Sequence, residues 1–359
     1  MITMIQWPPL AMIILLALSA FAYMVMYGCE LGVAILYPLV ARPADRQLLF
    51  DSIDPFWMGA IKWVLLGPSI LFLGLLIAFA AQLPVLHKPI AVMIVSLVLR
   101  GLSHKCLKRK GDLQIAWEWL FAAASMLMTL ASGWALGSIL EGSSLSGLPE
   151  ESALLRLATI VFPMICAVGL LGGYALLGSC WLILKTEGAL KIFGREVAHS
   201  ALLLTILVML VAGGWLLIVN PHAEQRVITQ ENWRVMGLFP IAIVLLGWHL
   251  WRSLWEIDER APLLRGAALF GAAFLGVLCS LYPNIGPGRY TLIEVTNSPG
   301  VQRYAWAAIL ILLPIMVTYL WLGVRAIKGK VLCYERSITS GPHIGARHTS
   351  GNPPELHLS

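Results

Sequence analysis

Residues 154–184 read LLRLATIVFPMICAVGLLGGYALLGSCWLIL. Arg156 is the only charged residue in this stretch, and Gly169, Gly172, Gly173 and Gly178 fall in its second half. A run of about 20 apolar residues is enough to cross the hydrocarbon core of a bilayer as a helix. This run is longer, so it has room to tilt or to extend past the lipid. It shows none of the period-2 alternation of a membrane β-strand. In lipid the backbone hydrogen bonds must close within the segment, which makes it a helix. The glycines would let neighbouring helices approach it closely.

Eight further apolar stretches follow the same pattern, at 10–37, 57–80, 84–103, 119–140, 199–219, 235–251, 264–282 and 304–325. The 235–251 stretch is short and resembles part of a re-entrant segment. Gly67, Pro68 and Gly74 interrupt the 57–80 stretch. Such breaks are tolerated in a membrane where neighbours re-satisfy the freed backbone groups. Over the whole chain of 359 residues, 59% are hydrophobic and 12% charged, with a mean hydropathy of +0.81. A soluble domain carries about 25% charged residues. The composition therefore excludes a soluble globular enzyme and disorder over most of the length. The first stretch has no basic residue before it and no small-x-small cleavage site, so it reads as a retained helix, not a cleaved signal.

The net charge of +6 matters through its placement. Eighteen of the 25 Lys and Arg residues fall on one side of the expected membrane, in the loops after stretches one, three, five and seven and in the tail. Six fall on the other side, and Lys62 lies inside the second stretch. The positive-inside rule puts the C-terminus in the cytoplasm and the N-terminus outside. The charge is thus a matter of topology, and no nucleic-acid partner is expected. The six cysteines sit in apolar stretches or on the cytoplasmic side, where no disulfide is expected. No spacing suits zinc. The tail at 331–359 is polar and reads as a disordered end, His343 and His348 included.

The candidate functional residues are those that are costly to hold in lipid. Glu30 shares a helical face with Tyr23 and Tyr27. It is a candidate proton relay, or it pairs with a cation. Lys62 is a candidate ion-pair partner for it, unless its ammonium snorkels to the headgroups. Glu118, between Trp117 and Trp119, is a weaker candidate, either a surface charge or a proton entry. His249 stands among Trp248, Trp251 and Trp255. No second histidine lies deep enough to make a bis-histidine haem site with it.

Several segments together carry a family likeness. They are Gly28-Cys29-Glu30-Leu31-Gly32, Asp45-Arg46, Asp54-Pro55-Phe56-Trp57, Leu99-Arg100-Gly101, Trp117-Glu118-Trp119 and Gly133-Trp134-Ala135-Leu136-Gly137. Gly173-Tyr174-Ala175-Leu176-Leu177-Gly178 with Lys185-Thr186-Glu187-Gly188 is the strongest, and Ser280-Leu281-Tyr282-Pro283-Asn284 and Pro314-Ile315-Met316 complete the set. In order and spacing, over about residues 10–330, the chain resembles subunit II of the cytochrome bd-type quinol oxidases.

The resemblance implies an all-α membrane protein of about nine transmembrane helices. These would form two four-helix bundles, at about 10–140 and 154–282, plus one peripheral helix at about 304–325. It implies a partner, subunit I, that carries haem b and haem d-type centres and the quinol site, and in some complexes a small single-helix subunit. The complex would oxidise quinol, reduce O₂ to water and take protons from the cytoplasm, in the bacterial inner membrane. This chain would bind no haem, and in some members the subunit holds a structural ubiquinone. Glu30 occupies the place of the family's acid near the end of helix one. One departure stands out: the usual Trp-Asp-Gly-Asn-(Glu/Gln)-Val-Trp is replaced at Trp57 to Trp63, with Met58 for the acid, Ala60 for the amide and Lys62 for Val. A proton path through that acid is thereby in question, and a divergent, cyanide-insensitive branch fits the change. The alternatives are a secondary transporter, which needs interrupted polar helices at the midplane of two repeats, and a purely structural subunit with no proton role.

Overall fold

A computed structural model describes residues 7–53, 76–109, 113–145, 153–219 and 233–281, with scattered positions between 303 and 318. The expected second stretch at 57–80, most of the last at 304–325, the substituted Trp57–Trp63 segment and the tail at 331–359 lie largely or wholly outside the described residues. Helix α1 spans Trp7–Leu36 and runs into a 3₁₀ turn, Tyr37–Leu39. A short helix α2 follows at Pro43–Ile53. Then come α3 at Leu76–Arg109, α4 at Gln114–Leu145, α5 at Ala153–Lys185 and α6 at Ala189–Val219. Helix α7 spans Trp233–Ser253 and α8 spans Ala261–Leu281.

The expectation of nine membrane-crossing helices in two bundles plus one is corrected. Among the described residues, six helices are long and apolar enough to cross a membrane: Ile14–Leu39, Leu83–Arg109, Gln114–Leu140, Thr159–Lys185, Ala189–Trp215 and Ala261–Cys279. The reason is clearest at the stretch expected over 235–251. Its helix, α7, spans Trp233–Ser253, and its uninterrupted apolar run lies between Arg234 and His249, from Val235 to Trp248. That is shorter than the about 20 residues a bilayer core demands. Helix ends are also displaced from the hydropathy boundaries. Helix α3 runs past the expected end at 103 to Arg109, and α6 starts at Ala189 instead of 199. Polar and basic terminal turns end a hydropathy run without ending the backbone hydrogen-bond ladder.

Helix α5 is the hub. It packs against α1, α4, α6 and α8, while α3 packs on α4 and α7 on α8. Half of the most apolar window of α4 and of α5 is buried, against 17% for α3. Central and peripheral helices are thus distinguished by cover, not by hydropathy. The exposed apolar face of α3, with Ile94, Val95, Val98 and Leu102, is ordinary for a helix that meets lipid or another membrane chain.

Glycine sets the spacing around α5. A Cβ on Gly32 would strike the Tyr174 carbonyl oxygen, and one on Gly178 would strike the Gly32 carbonyl carbon. The backbones of α1 and α5 therefore touch. Gly133 and Gly137 of α4 meet the Cα atoms of Ala167 and Pro163 of α5, each 2.5 Å from where a Cβ would stand. Gly169 faces Val208, Gly172 faces Leu204 and Gly173 faces Phe270. Without a hydrophobic drive between helices in lipid, such close van der Waals contact is what holds them together. Gly188 (φ +66) turns the chain from α5 into α6 in the left-handed region that glycine tolerates.

Gly178→Ala should destabilise the full chain by about 1–3 kcal/mol, the usual cost of overpacking. Gly213→Ala should be near neutral, since its added methyl meets no atom within 4 Å. Thermal denaturation of the detergent-solubilised variants checks this, and equal behaviour of the two would refute the backbone contact.

Candidate functional site

The last turns of α1 bring Tyr27 and Glu30 to the inside of the α1, α3 and α4 packing. Glu30 belongs to a fully apolar sequence neighbourhood, and its side chain is 1% exposed. Its charge is met by Arg100 of α3, which is entirely buried. Arg100 donates from one terminal nitrogen to Glu30 Oε1 at 2.7 Å and from the other to the Tyr27 hydroxyl at 2.8 Å. Its guanidinium also lies over the rings of Tyr27, at 5.2 Å, and of Phe121 from α4, at 5.1 Å. A planar guanidinium with a fork of donors and two π faces suits this mixture of partners, where a lysine would not. Glu30 Oε2 has no hydrogen-bond partner among the described residues.

Aromatic rings close the site. Phe50 of α2 stacks near His104 at 5.0 Å and meets Phe121 edge-on at 6.2 Å, and Tyr37 meets Phe121 at 6.4 Å. Four helices and the 3₁₀ turn thus converge on one ion pair. In such a low-dielectric setting the pair is strong only because both charges are present.

A second pair lies at the nearby helix ends. Arg46 of α2 donates to Glu118 Oε2 at 2.9 Å and to the Val40 carbonyl at 2.6 Å. Tyr37, Pro38 and Trp119 line a shallow recess beside it. Arg46 keeps 22% of its side chain in solvent, so this pair is only partly withdrawn from water.

The three sequence candidates therefore have different outcomes. Glu30 is buried and paired. Glu118 is buried against Arg46, neither a free surface charge nor an isolated acid. Lys62 lies outside the described residues. Arg100 is the residue that sequence reasoning missed, because it stands near the end of an apolar stretch and was counted with the loop charges. The signal was present: the stretch expected over 84–103 already encloses it, so it is an intramembrane cation opposite an intramembrane acid. His249 is exposed on α7. Among the described residues, no three His, Cys, Asp or Glu side chains group as metal ligands. Cys29, Cys106, Cys166, Cys180 and Cys279 are not joined in disulfides.

The family model for cytochrome bd terminal oxidase subunit II matches residues 8–327. The chain belongs to that subunit II family. Among its relatives is the "Probable cytochrome oxidase subunit 2" of Haemophilus influenzae, 24% identical over 218 residues, or 58% of this chain and 56% of that protein. Another is the "Cytochrome bd-I ubiquinol oxidase subunit 2" of Escherichia coli, 25% identical over 199 residues, or 53% of this chain and 52% of that protein. The chain thus spans about half the length of the curated relatives it matches. A chain in the structure of bd oxidase from Geobacillus thermodenitrificans has the same fold, with a TM-score of 0.74 at 14% identity over 90% of this chain and 99% of that one. The subunit II member described here is a multi-pass, all-α membrane protein, and its buried ion pair joins the first-helix motif Gly28-Cys29-Glu30-Leu31-Gly32 to Leu99-Arg100-Gly101.

Glu30→Gln removes the countercharge of a fully buried arginine and should cost about 3–5 kcal/mol of stability. Glu118→Gln breaks a partly hydrated pair and should cost about 1 kcal/mol or less. Denaturation midpoints of the two purified variants distinguish these outcomes, and similar small losses would contradict the difference in burial.

Proposed function

We propose that this chain is the haem-free second subunit of a bd-type quinol:O₂ oxidoreductase. The family match over residues 8–327 carries this reading. The partner is a haem-bearing subunit I with haem b and haem d-type centres, joined in some complexes by a small single-helix subunit. The complex transfers electrons from quinol to O₂ and forms water, in the bacterial inner membrane. The eighteen-to-six division of basic residues supports a cytoplasmic C-terminus and an N-terminus outside, although Arg100 belongs to the core and not to the loop tally.

Two of the described histidines are not placed as haem ligands. His104 packs against Phe50 at 5.0 Å and His199 against Trp251 at 4.6 Å, and Nε2 of each is covered by protein. Neither has space for a porphyrin plane. The subunit's contribution is to hold shape against the partner and, in the fuller reading, to handle protons. Electrons and protons must meet at O₂ without release of partly reduced species, and proton delivery is a task for positioned acids.

Two roles for Glu30 compete. As an anchor, it neutralises Arg100 and fixes α1 against α3 and α4; the 2.7 Å contact favours this. As a proton relay, it uses Oε2, which has no partner among the described residues. The first reading makes the subunit structural, and the second gives it a part in proton uptake.

An affinity-tagged chain purified in mild detergent from its native host should carry haem b and d absorption bands that follow a co-purifying larger subunit. The chain expressed without that subunit should show neither the bands nor quinol oxidase activity. Oxidase activity from the isolated chain, or a haem-free chain that never co-purifies with a haem protein, would overturn the assignment. For orientation, a reporter fused after Arg336 should read cytoplasmic and one inserted at 142–147 external; the reverse pattern at both places would reject it.

A further inference from the structure

The chain carries a second polar constellation where α5 turns into α6 and α7 turns into α8. Five acids (Glu187, Glu196, Glu256, Asp258, Glu259) and six bases (Lys185, Lys191, Arg195, Arg252, Arg260, Arg265) crowd these turns, and several are already matched. Lys191 holds Glu259 at 2.6 Å and Arg265 holds Glu256 at 3.0 Å. The Asp258 carboxylate accepts from the Arg260 backbone N–H at 3.0 Å. Three of these arginines form no ion pair among the described residues: Arg195 of α6, Arg252 of α7 and Arg260, whose guanidinium is not part of the Asp258 contact. Arg195 reaches only the Glu256 backbone carbonyl, at 3.4 Å. Arg252 lies over the Trp248 ring at 5.2 Å.

Arg195 and Arg252 stand on either side of one aromatic wall. His199, one turn after Arg195, fixes its ring by a 2.7 Å hydrogen bond from Nδ1 to the Arg195 carbonyl. The ring meets Trp251 edge-on at 4.6 Å and Trp255 at 5.3 Å. Trp251 is the residue before Arg252, Trp248 and Arg252 share one face of α7, and Trp255 follows in the turn after it. The wall is rigid from behind and open in front. Trp255 is 70% exposed, and Ile257 and Leu264 beside it are almost wholly exposed or largely so. Exposed tryptophans at a helix end mark the membrane–water boundary. Apolar groups open on one side of that boundary, with uncompensated guanidinium groups at its level, form the two halves of a phospholipid contact.

We propose that this wall binds the headgroup of an anionic phospholipid, with its phosphate between Arg195 and Arg252 and its glycerol backbone against Trp255, Ile257 and Leu264. Basic pockets between helix ends recognise anionic headgroups through charge and guanidinium hydrogen bonds. The matched pairs Lys191–Glu259 and Arg265–Glu256 keep the neighbouring carboxylates from competing for the two arginines. A zwitterionic headgroup brings its own ammonium and gains less. The proposal depends on the membrane placement of these helix ends and not on the oxidase reading.

The test uses the full chain, with whatever co-purifies, in nanodiscs of equal phosphatidylglycerol and phosphatidylethanolamine. Retained lipid is read by native mass spectrometry. The wild type should retain phosphatidylglycerol in preference to phosphatidylethanolamine. Arg252→Gln, at an exposed position that leaves the core intact, should weaken that preference by about fivefold, the effect of one basic residue near an anionic surface. Arg195→Gln should do the same, and the pair should remove it. Lys88→Gln, an exposed basic residue elsewhere, should leave it unchanged. Equal retention of both lipids by the wild type, or an unaltered preference in Arg252→Gln and the double variant, would overturn the proposal. Loss of a co-purifying subunit in those variants with the lipid content unchanged would do so too, by showing the wall to be a protein interface.

Discussion

A carboxylate and a guanidinium buried together inside a membrane bundle constrain everything packed around them. Either charge alone would be costly to hold there. Together, at 2.7 Å, they are tolerable, and only while α1 and α3 stay in register. Tyr27 and Phe121 add a hydrogen bond and a π face to the same guanidinium, which brings α4 into the arrangement. Phe50 of α2 in turn meets Phe121 edge-on. An ion pair of this kind is weak evidence for stability as such, because an apolar pair of similar volume often does as well. Its physical consequence is specificity: one register satisfies both charges, and slippage by a turn satisfies neither.

The glycine contacts complement that constraint. Gly32 lies two residues beyond Glu30, and its backbone touches that of α5 at Tyr174 and Gly178. Helix α1 is therefore fixed on two faces, by charge toward α3 and by backbone contact toward α5. Neither device relies on apolar burial, which offers little discrimination between helices when the solvent is itself apolar. This also explains why α5 is the best-covered helix of the molecule together with α4, although α6 is nearly as apolar.

Much of this was legible in the residues, and the gaps have physical causes. The membrane class followed from apolar runs too long for any soluble core. The glycine series of α5 announced close packing, and the neighbours found there bear that out. Glu30 announced itself as an acid in an apolar run. Its partner did not, since hydropathy ends a stretch where basic residues begin, whereas α3 continues as helix through Lys105, Lys108 and Arg109. Arg100 thus looked like the edge of a loop. Sequence also offered Lys62 as a cation at similar depth, and one-dimensional position cannot choose between two cations on different helices. The pairing of Glu118 with Arg46 was hidden for a similar reason: both residues belonged to quoted motifs, but 72 positions separate them. The 235–251 stretch, although short, was counted among the nine crossing helices, and α7 is not among the described helices long and apolar enough to cross.

The central claim is that Glu30 and Arg100 act as one unit in holding α1 to α3. A double-mutant cycle tests it most directly: thermal stability of the full chain with Glu30→Gln, Arg100→Gln and both, in one detergent or nanodisc. The account predicts that the double variant is more stable than the sum of the single losses allows, with a coupling of at least about 1 kcal/mol, since it removes both charges and strands neither. Losses that simply add would mean that the two side chains contribute independently, and the pair would not be the constraint on which this packing depends.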